Sequence, residues 1–451
     1  MHIGRDNQAA ADREDVLYGP QTRLAVDNFK ISGWRFPRTY IRALGLIKAC
    51  AARVNGELGV LPSDLAKAID EAAAAVAEGR HDDQFPVDVI QTGSGTSTNM
   101  NANEVIAELA GRALGRPVHP NDEVNRGQSS NDVIPTAIHV SAALELESLL
   151  AALASLRGAV LARAQEYAAV VKTGRTHLMD AVPITLGQEL SGWAALVEAD
   201  LDRLRGTRPR LLALAQGGTA VGTGLNAHPE LAGRFASLLA ERTGLAFRPA
   251  PNACAEIGAQ DTAVELSGQL RVTAVTLLKI ATDLRWMNSG PVAGLAEINL
   301  PELQPGSSIM PGKVNPVILE AVGMACVQVI GLDTAVALAA QDNRFQLATM
   351  LPLIAFDLLQ QLALLTGAVQ SLDEQAITRF EANVGGLRER AARNAMLVTA
   401  LTPRIGYELA GRIARAALEQ GRPVMEVARE MSALSQGELA QLLDPLRMTE
   451  P

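Results

Sequence analysis

Two adjacent serines, a lysine and an asparagine share thirteen residues, "PGSSIMPGKVNPV" at 305–317, with two glycines and three prolines. A serine becomes a base or nucleophile only where amides and cations stabilise its oxyanion, and Gly306, Lys313 and Asn315 offer that surrounding to Ser307. The competing assignment is a helix N-cap at Ser307 or Ser308. Four further polar islands interrupt the apolar chain: "QTGSGTSTNMNANE", "HPNDEVNRGQSSND", "KTGRTHLMDAVP" and "GGTAVGTGLNAHPE". Each taken alone reads as a connection, because Gly, Asn, Ser and Pro are turn residues. Together they supply neutral donors at Ser94, Thr96, Ser129, Ser130, Asn131, Thr176 and Asn315, a set suited to carboxylates and developing oxyanions. Lys313 adds the fixed positive charge that a dianionic acid requires.

The loop lacks the GK[ST] ending of a phosphate-binding Walker loop. The six histidines include no HExxH or comparable spacing, so no metal site is expected. His177 in "GRTHLMD" and His119 in "VHPND" lie in polar islands, whereas His139 in "PTAIHV" sits at the start of a helical pattern. Glu320, beyond the lysine loop, is either an orienter for a histidine or a solvated helix residue.

Long helices must position these islands. From Ala263, residues Leu266, Leu270, Ala274, Leu277, Ala281 and Leu284 follow at steps of three and four, the seam of a bundle helix. Comparable patterns cover about 134–170, 186–204, 317–340 and 353–369. Hydrophobic residues make up 48% of the 451 residues and aromatics only 3%, a composition of packed helices. The net charge of -9, spread along the chain, argues against a nucleic-acid partner. Cys50, Cys254 and Cys326 are odd in number, far apart and in apolar surroundings, which predicts neither disulfides nor zinc and fits a reducing cytoplasm. The first fifteen residues lack an apolar signal region, and no unbroken apolar run reaches membrane-spanning length, so a cytosolic protein is expected.

With these residues in view, "GSSIMPGKVNP" closely resembles the signature loop of the fumarase/aspartase superfamily. The other islands resemble its class II fumarase and aspartase branch, from "DVLYGPQTRLAVDNF" to "IGYELAGRIARAALEQG". The resemblance implies a mainly α fold of three domains: an N-terminal, mostly helical domain (1–130), a central helical bundle (131–380) and a small helical C-terminal domain (381–451). It also implies a homotetramer with a twenty-helix core and active sites shared by three subunits, which would bury the apolar seams between copies. No metal or organic cofactor is implied.

Matched residue by residue, Ser307 takes the place of the catalytic base, and Glu320 that of the carboxylate paired with His177. Lys313, Asn315, Ser94, Thr96, Ser129, Ser130, Asn131 and Thr176 match substrate contacts. Arg116, His119, Asn121 and Asp122 match a second dicarboxylate site of the fumarase branch. The implied reaction is an anti elimination giving fumarate from a four-carbon dicarboxylic acid. Ser94 and Ser130 favour water as the leaving group, whereas "EINLPELQ" and "AFDLLQQ" look closer to aspartase. Two departures leave room for an amine-bearing or larger substrate: Val292 replaces an arginine, and Gln346 and Ala348 alter the family's "GNFELNVM". A crystallin-like inert scaffold is the non-enzymatic alternative, opposed by the intact Ser307, Lys313, Asn315, His177 and Glu320 set.

Overall fold

The computed structural model describes residues 16–450, so the reading of the first fifteen residues, including His2, lies outside the described residues. In chain order the helices are α1 (Pro20–Asn28), α2 (Arg38–Glu57), α3 (Ser63–Ala77), α4 (Thr96–Leu114), α5 (Ser130–Glu166) and α6 (Leu186–Leu211). Then come α7 (Leu231–Thr243), α8 (Ala253–Gly258), α9 (Asp261–Met287), α10 (Val317–Ala340), α11 (Leu351–Leu372) and α12 (Val384–Arg393). Four short helices close the chain: α13 (Thr402–Ile405), α14 (Tyr407–Gln420), α15 (Val424–Met431) and α16 (Gln436–Leu442).

The chain is mainly α, as its composition predicts. The Leu266 to Leu284 seam lies on α9 and is buried throughout, since steps of three and four keep these side chains on one helical stripe. The other four apolar patterns correspond to α5, α6, α10 and α11.

Two compact units are resolved. Among the described residues the first comprises 16–150, 202–272 and 327–365, and the second 151–201, 273–326 and 366–450. In the first unit α2 packs on α3, with Tyr40, Leu44 and Ile47 fully buried. Here Gly45 is required for proximity, because a Cβ on it would lie 2.5 Å from the Ala77 nitrogen. The unit also contains the two-residue parallel strands β3 (Ala213–Leu214) and β4 (Arg248–Pro249).

The second unit contains an antiparallel hairpin, β1 (Val171–Thr176) and β2 (Met179–Thr185), and a short pair, β5 (Ile298–Asn299) with β6 (Glu381–Ala382). Its C-terminal helices form a core of their own around Leu401, Ile413, Val427 and Leu439.

Two expectations need correction. Cys50 and Cys326 are buried, but Cys254, in the first turn of α8, is exposed, because only one face of that six-residue helix is covered. Among the described residues three stretches, α5, α10 and Leu351–Ile377, are long and apolar enough to cross a bilayer. An unbroken-run criterion misses them, because Glu145, Asp333 and Asp357 interrupt helices whose average stays apolar. The apolar windows of α5 and Leu351–Ile377 are 67% and 61% buried within the protein, whereas that of α10 is only 28% buried. Met324, Val327 and Leu338 account for much of that exposed surface.

Candidate active site

Ser307 is not a helix N-cap, because α10 begins ten residues later at Val317. Its Oγ accepts hydrogen bonds from the backbone N–H groups of Ile309 (3.2 Å) and Met310 (3.1 Å). Two donors aimed at one hydroxyl oxygen favour its alkoxide over that of a serine without them. The loop is closed at its base: Gly306 N–H donates to the Lys313 carbonyl (2.9 Å), and the Asn315 side-chain amide donates to the Gly306 carbonyl (2.6 Å). Only glycine fits at 306, since a Cβ would lie 2.2 Å from the Lys313 oxygen.

Lys313, Asn315 and Glu320 line one cavity of about 520 Å³, together with Arg285, Trp286 and Asn288 of the second unit. Lys313 and Glu320 are exposed, and the nearest cation to Glu320 is Arg285, at 4.0 Å. Within one chain Glu320 therefore faces Arg285, and no hydrogen bond joins it to His177.

His177 and Leu178 form the two-residue turn of the β1–β2 hairpin, with φ of 57° and 62°. Positive φ at both turn positions suits the twist of a tight hairpin, yet for a leucine it is strained. Strain of this kind persists where surrounding structure over-determines it. Here the support is a buried ion cluster under β1. Lys172 donates to Glu297 (2.7 Å) and also pairs with Glu189, and Arg175 pairs with the other Glu297 oxygen.

Burial raises the Glu297 carboxyl, but the hydrogen bonds and charges of Arg175 and Lys172 outweigh it and leave its pKa below the usual glutamate range. Asn394, buried, ties the hairpin further by donating to the Ala181 carbonyl (2.7 Å). Thr176 and His177 project exposed from this anchored base.

The first unit gathers a second group of predicted residues at two helix N-termini. Gly95, at φ 72°, turns the chain into α4, so that Ser94 and Thr96 stand at its start with hydroxyls 2.8 Å apart. Ser129, Ser130 and Asn131 stand at the start of α5, and the Asn99 amide of α4 donates to Ser130 Oγ at 3.0 Å. Free N–H groups and the helix dipole make such termini receptive to carboxylates.

Beneath them Asp132, fully buried, accepts from the backbone of Ser129, Gly217 and Thr219. Lys48, also fully buried, donates to Asn125 (2.8 Å) and Gln128 (3.1 Å). Burial pushes Asp132 up to about 6 and Lys48 down to about 7, each opposed by the other's charge.

Sequence reasoning missed Lys48, Asp132, Lys172, Arg175 and Glu297. The available signal was a charge set among apolar residues, as in "GLIKACA" and "AVVKTG".

The departing segment, "NRFQLATM", packs against the first of these islands. Leu351 N–H donates to the Gly93 carbonyl (2.9 Å), and a Cβ at Gly93 would meet the Thr349 oxygen at 1.8 Å. Ala348 is buried there, while Phe345 and Gln346 form an exposed tip. Val292 is 94% exposed, presenting an apolar surface where the family pattern has arginine.

Arg116 pairs with Glu123 (3.3 Å), and His119 Nδ1 accepts the Asp122 N–H (3.0 Å), capping a π-turn at Pro120–Val124. Asn121 and Asp122 are exposed beside it. Arg116 also borders a cavity of about 680 Å³ between the N-terminal segment and α4, larger than the one of about 520 Å³ beside the serine loop. Volume does not identify the reactive site, because that cavity contains neither the serine loop nor either donor cluster.

The lyase family profile matches residues 9–331, and the profile for the fumarase C C-terminus matches 397–450. A class II fumarate hydratase of Pseudomonas aeruginosa is 55% identical over 435 residues, covering 96% of this chain and 95% of its own. One from Xylella fastidiosa is 55% identical over 437 residues, covering 97% and 92%. The crystal structure of a class II fumarase from Schistosoma mansoni superposes with a TM-score of 0.94 at 36% identity, covering 97% of this chain and 96% of that one. The chain belongs to the fumarase/aspartase superfamily of lyases, in its class II fumarate hydratase branch.

Proposed function

We propose that the protein is a fumarate hydratase, catalysing the reversible anti addition of water to fumarate to give L-malate. The observation that carries this reading is the doubly hydrogen-bonded Ser307 Oγ in the loop that also holds Lys313 and Asn315. In the malate-to-fumarate direction Ser307, as alkoxide, takes the Cβ proton, and the adjacent carboxylate becomes a dianionic aci-carboxylate. Lys313 and Asn315 oppose that charge, joined by donors of Ser94, Thr96, Ser129, Ser130, Asn131 and Thr176. The C–O bond then breaks, with His177 and Glu320 moving the proton that the departing hydroxide requires. This account uses no metal or organic cofactor.

Each site, in this reading, is completed by other copies of the chain in a homotetramer, with residues of three subunits. Two features support it: Lys313, Glu320 and His177 are exposed in the isolated chain, and α10 presents uncovered Met324, Val327 and Leu338. A partner's Glu320 would then orient His177 in place of the intrachain Arg285 contact. The second dicarboxylate site at Arg116, His119, Asn121 and Asp122 and a cytoplasmic location, suited to three free cysteines, belong to the same proposal.

Fumarate formation from L-malate and from L-aspartate, followed in parallel by ultraviolet absorbance, tests the reaction. Turnover of aspartate alone would reassign the chain to the ammonia-lyase branch, and silence with both would favour another substrate or an inert scaffold.

A further inference from the structure

Two buried ions of opposite sign bracket the start of α5. Lys48, on α2, has no exposed surface, and its ammonium grips Asn125 Oδ1 at 2.8 Å and Gln128 Oε1 at 3.1 Å. The same Asn125 oxygen accepts from the Asn99 amide at 3.4 Å, and that amide donates its other N–H to Ser130 Oγ at 3.0 Å. Asp132 holds the opposite side, one oxygen on Ser129 N–H (2.9 Å), the other on Gly217 N–H (3.0 Å) and Thr219 N–H (2.9 Å). Asn131 joins the same loop by donating to the Ala220 carbonyl at 2.8 Å. The glycine-rich island that begins at Gly217 is thereby tied to the "SSN" island.

The direction of these bonds matters. Ser130 Oγ accepts from Asn99, and Ser129 Oγ accepts from Asn131 N–H at 3.2 Å, so both hydroxyl protons remain to donate to a ligand. Asn125 keeps its oxygen toward Asn99 because Lys48 holds it there. Without that cation only the donation of its own NH2 to the Gln128 carbonyl (3.2 Å) restrains the amide, and the Asn99 to Ser130 contact loses its shorter anchor. Burying two ions is expensive, where a helix needing only packing would carry Met or Leu.

We propose that Lys48 and Asp132 are positioning residues, which fix the start of α5 so that Ser129, Ser130 and Asn131 present their donors to a substrate carboxylate. The inference rests on the hydratase reading for the identity of the carboxylate, and on the intrachain contacts for the clamp itself.

The test compares wild type with Lys48→Met in steady-state turnover of malate and in amide exchange of the peptide spanning residues 126–136. The clamp predicts a KM raised about tenfold with kcat lowered less than about threefold, and exchange at 129–132 about tenfold faster. Unchanged KM and unchanged exchange, with or without a lower Tm, would overturn it, because a purely packing role moves only stability. Should Lys48→Met fail to fold, Asp132→Asn, which keeps the side chain's shape but removes its charge and one of its two accepting oxygens, carries the same expectation and the same refutation. A wild-type protein inert toward malate and fumarate would sink the proposed reaction, whereas exchange needs no substrate and still decides the clamp.

Discussion

Replacing Gly306 by alanine adds a single carbon, whose effect follows from the loop closure. The new Cβ would stand 2.2 Å from the Lys313 oxygen, 2.9 Å from its carbonyl carbon and 3.0 Å from the Asn315 nitrogen. Ordinary carbon–oxygen contacts begin near 3.4 Å, so backbone must move by about 1 Å, and neither neighbour is a flexible side-chain end. Such a shift breaks the Gly306 N–H to Lys313 bond and displaces Lys313 and Asn315 relative to Ser307. A misplacement of about 1 Å at reacting groups costs about 100-fold in rate. The loop is largely exposed, so global stability should hardly change. Steady-state kinetics of Gly306→Ala beside a thermal melt checks this: kcat/KM about 100-fold down at an unchanged Tm is expected. Activity within about threefold of wild type would refute the claim that this closure holds the groups in register.

Other perturbations separate the roles. Ser307→Ala should lower kcat by at least about 100-fold without loss of folding, measured as fumarate release; undiminished turnover would remove Ser307 as the base. His177→Asn, a residue that tolerates the left-handed turn, should lower kcat with little change in KM, and a pure loss of affinity would reassign His177 to binding. Glu297→Ala takes from Arg175 its Glu297 partner and leaves the buried Lys172 with Glu189 alone, and should cost roughly 3 kcal/mol in urea unfolding. Because the folded Glu297 pKa lies below its ordinary value of 4.5, its stabilisation is present above that value and is lost as pH falls through the folded one. Wild type should therefore lose stability on acidification below about 4.5 more steeply than the Glu297→Ala variant.

The helical architecture was legible because burial follows spacing: the stripe from Leu266 to Leu284 reads directly as a buried face. The islands were legible by composition, since Ser, Asn and Gly interrupt otherwise apolar helices. The hairpin carrying His177 was not, because its turn is His-Leu rather than the Asn-Gly that signals a tight reversal, and ion pairs remote in sequence hold it. The partners of Lys48 and Lys172 lie 77 and 125 residues away, separations that no local pattern encodes. The Ser307 cap assignment failed for a related reason: the two amides that find its oxygen belong to the loop itself, so the hydroxyl is engaged without any helix following it.

The most direct measurement is the initial rate of fumarate formation from L-malate and from L-aspartate by purified wild type, with Ser307→Ala alongside. The account predicts turnover of malate alone, abolished in the variant. Turnover of aspartate in place of malate, or malate turnover that survives loss of Ser307, would contradict it.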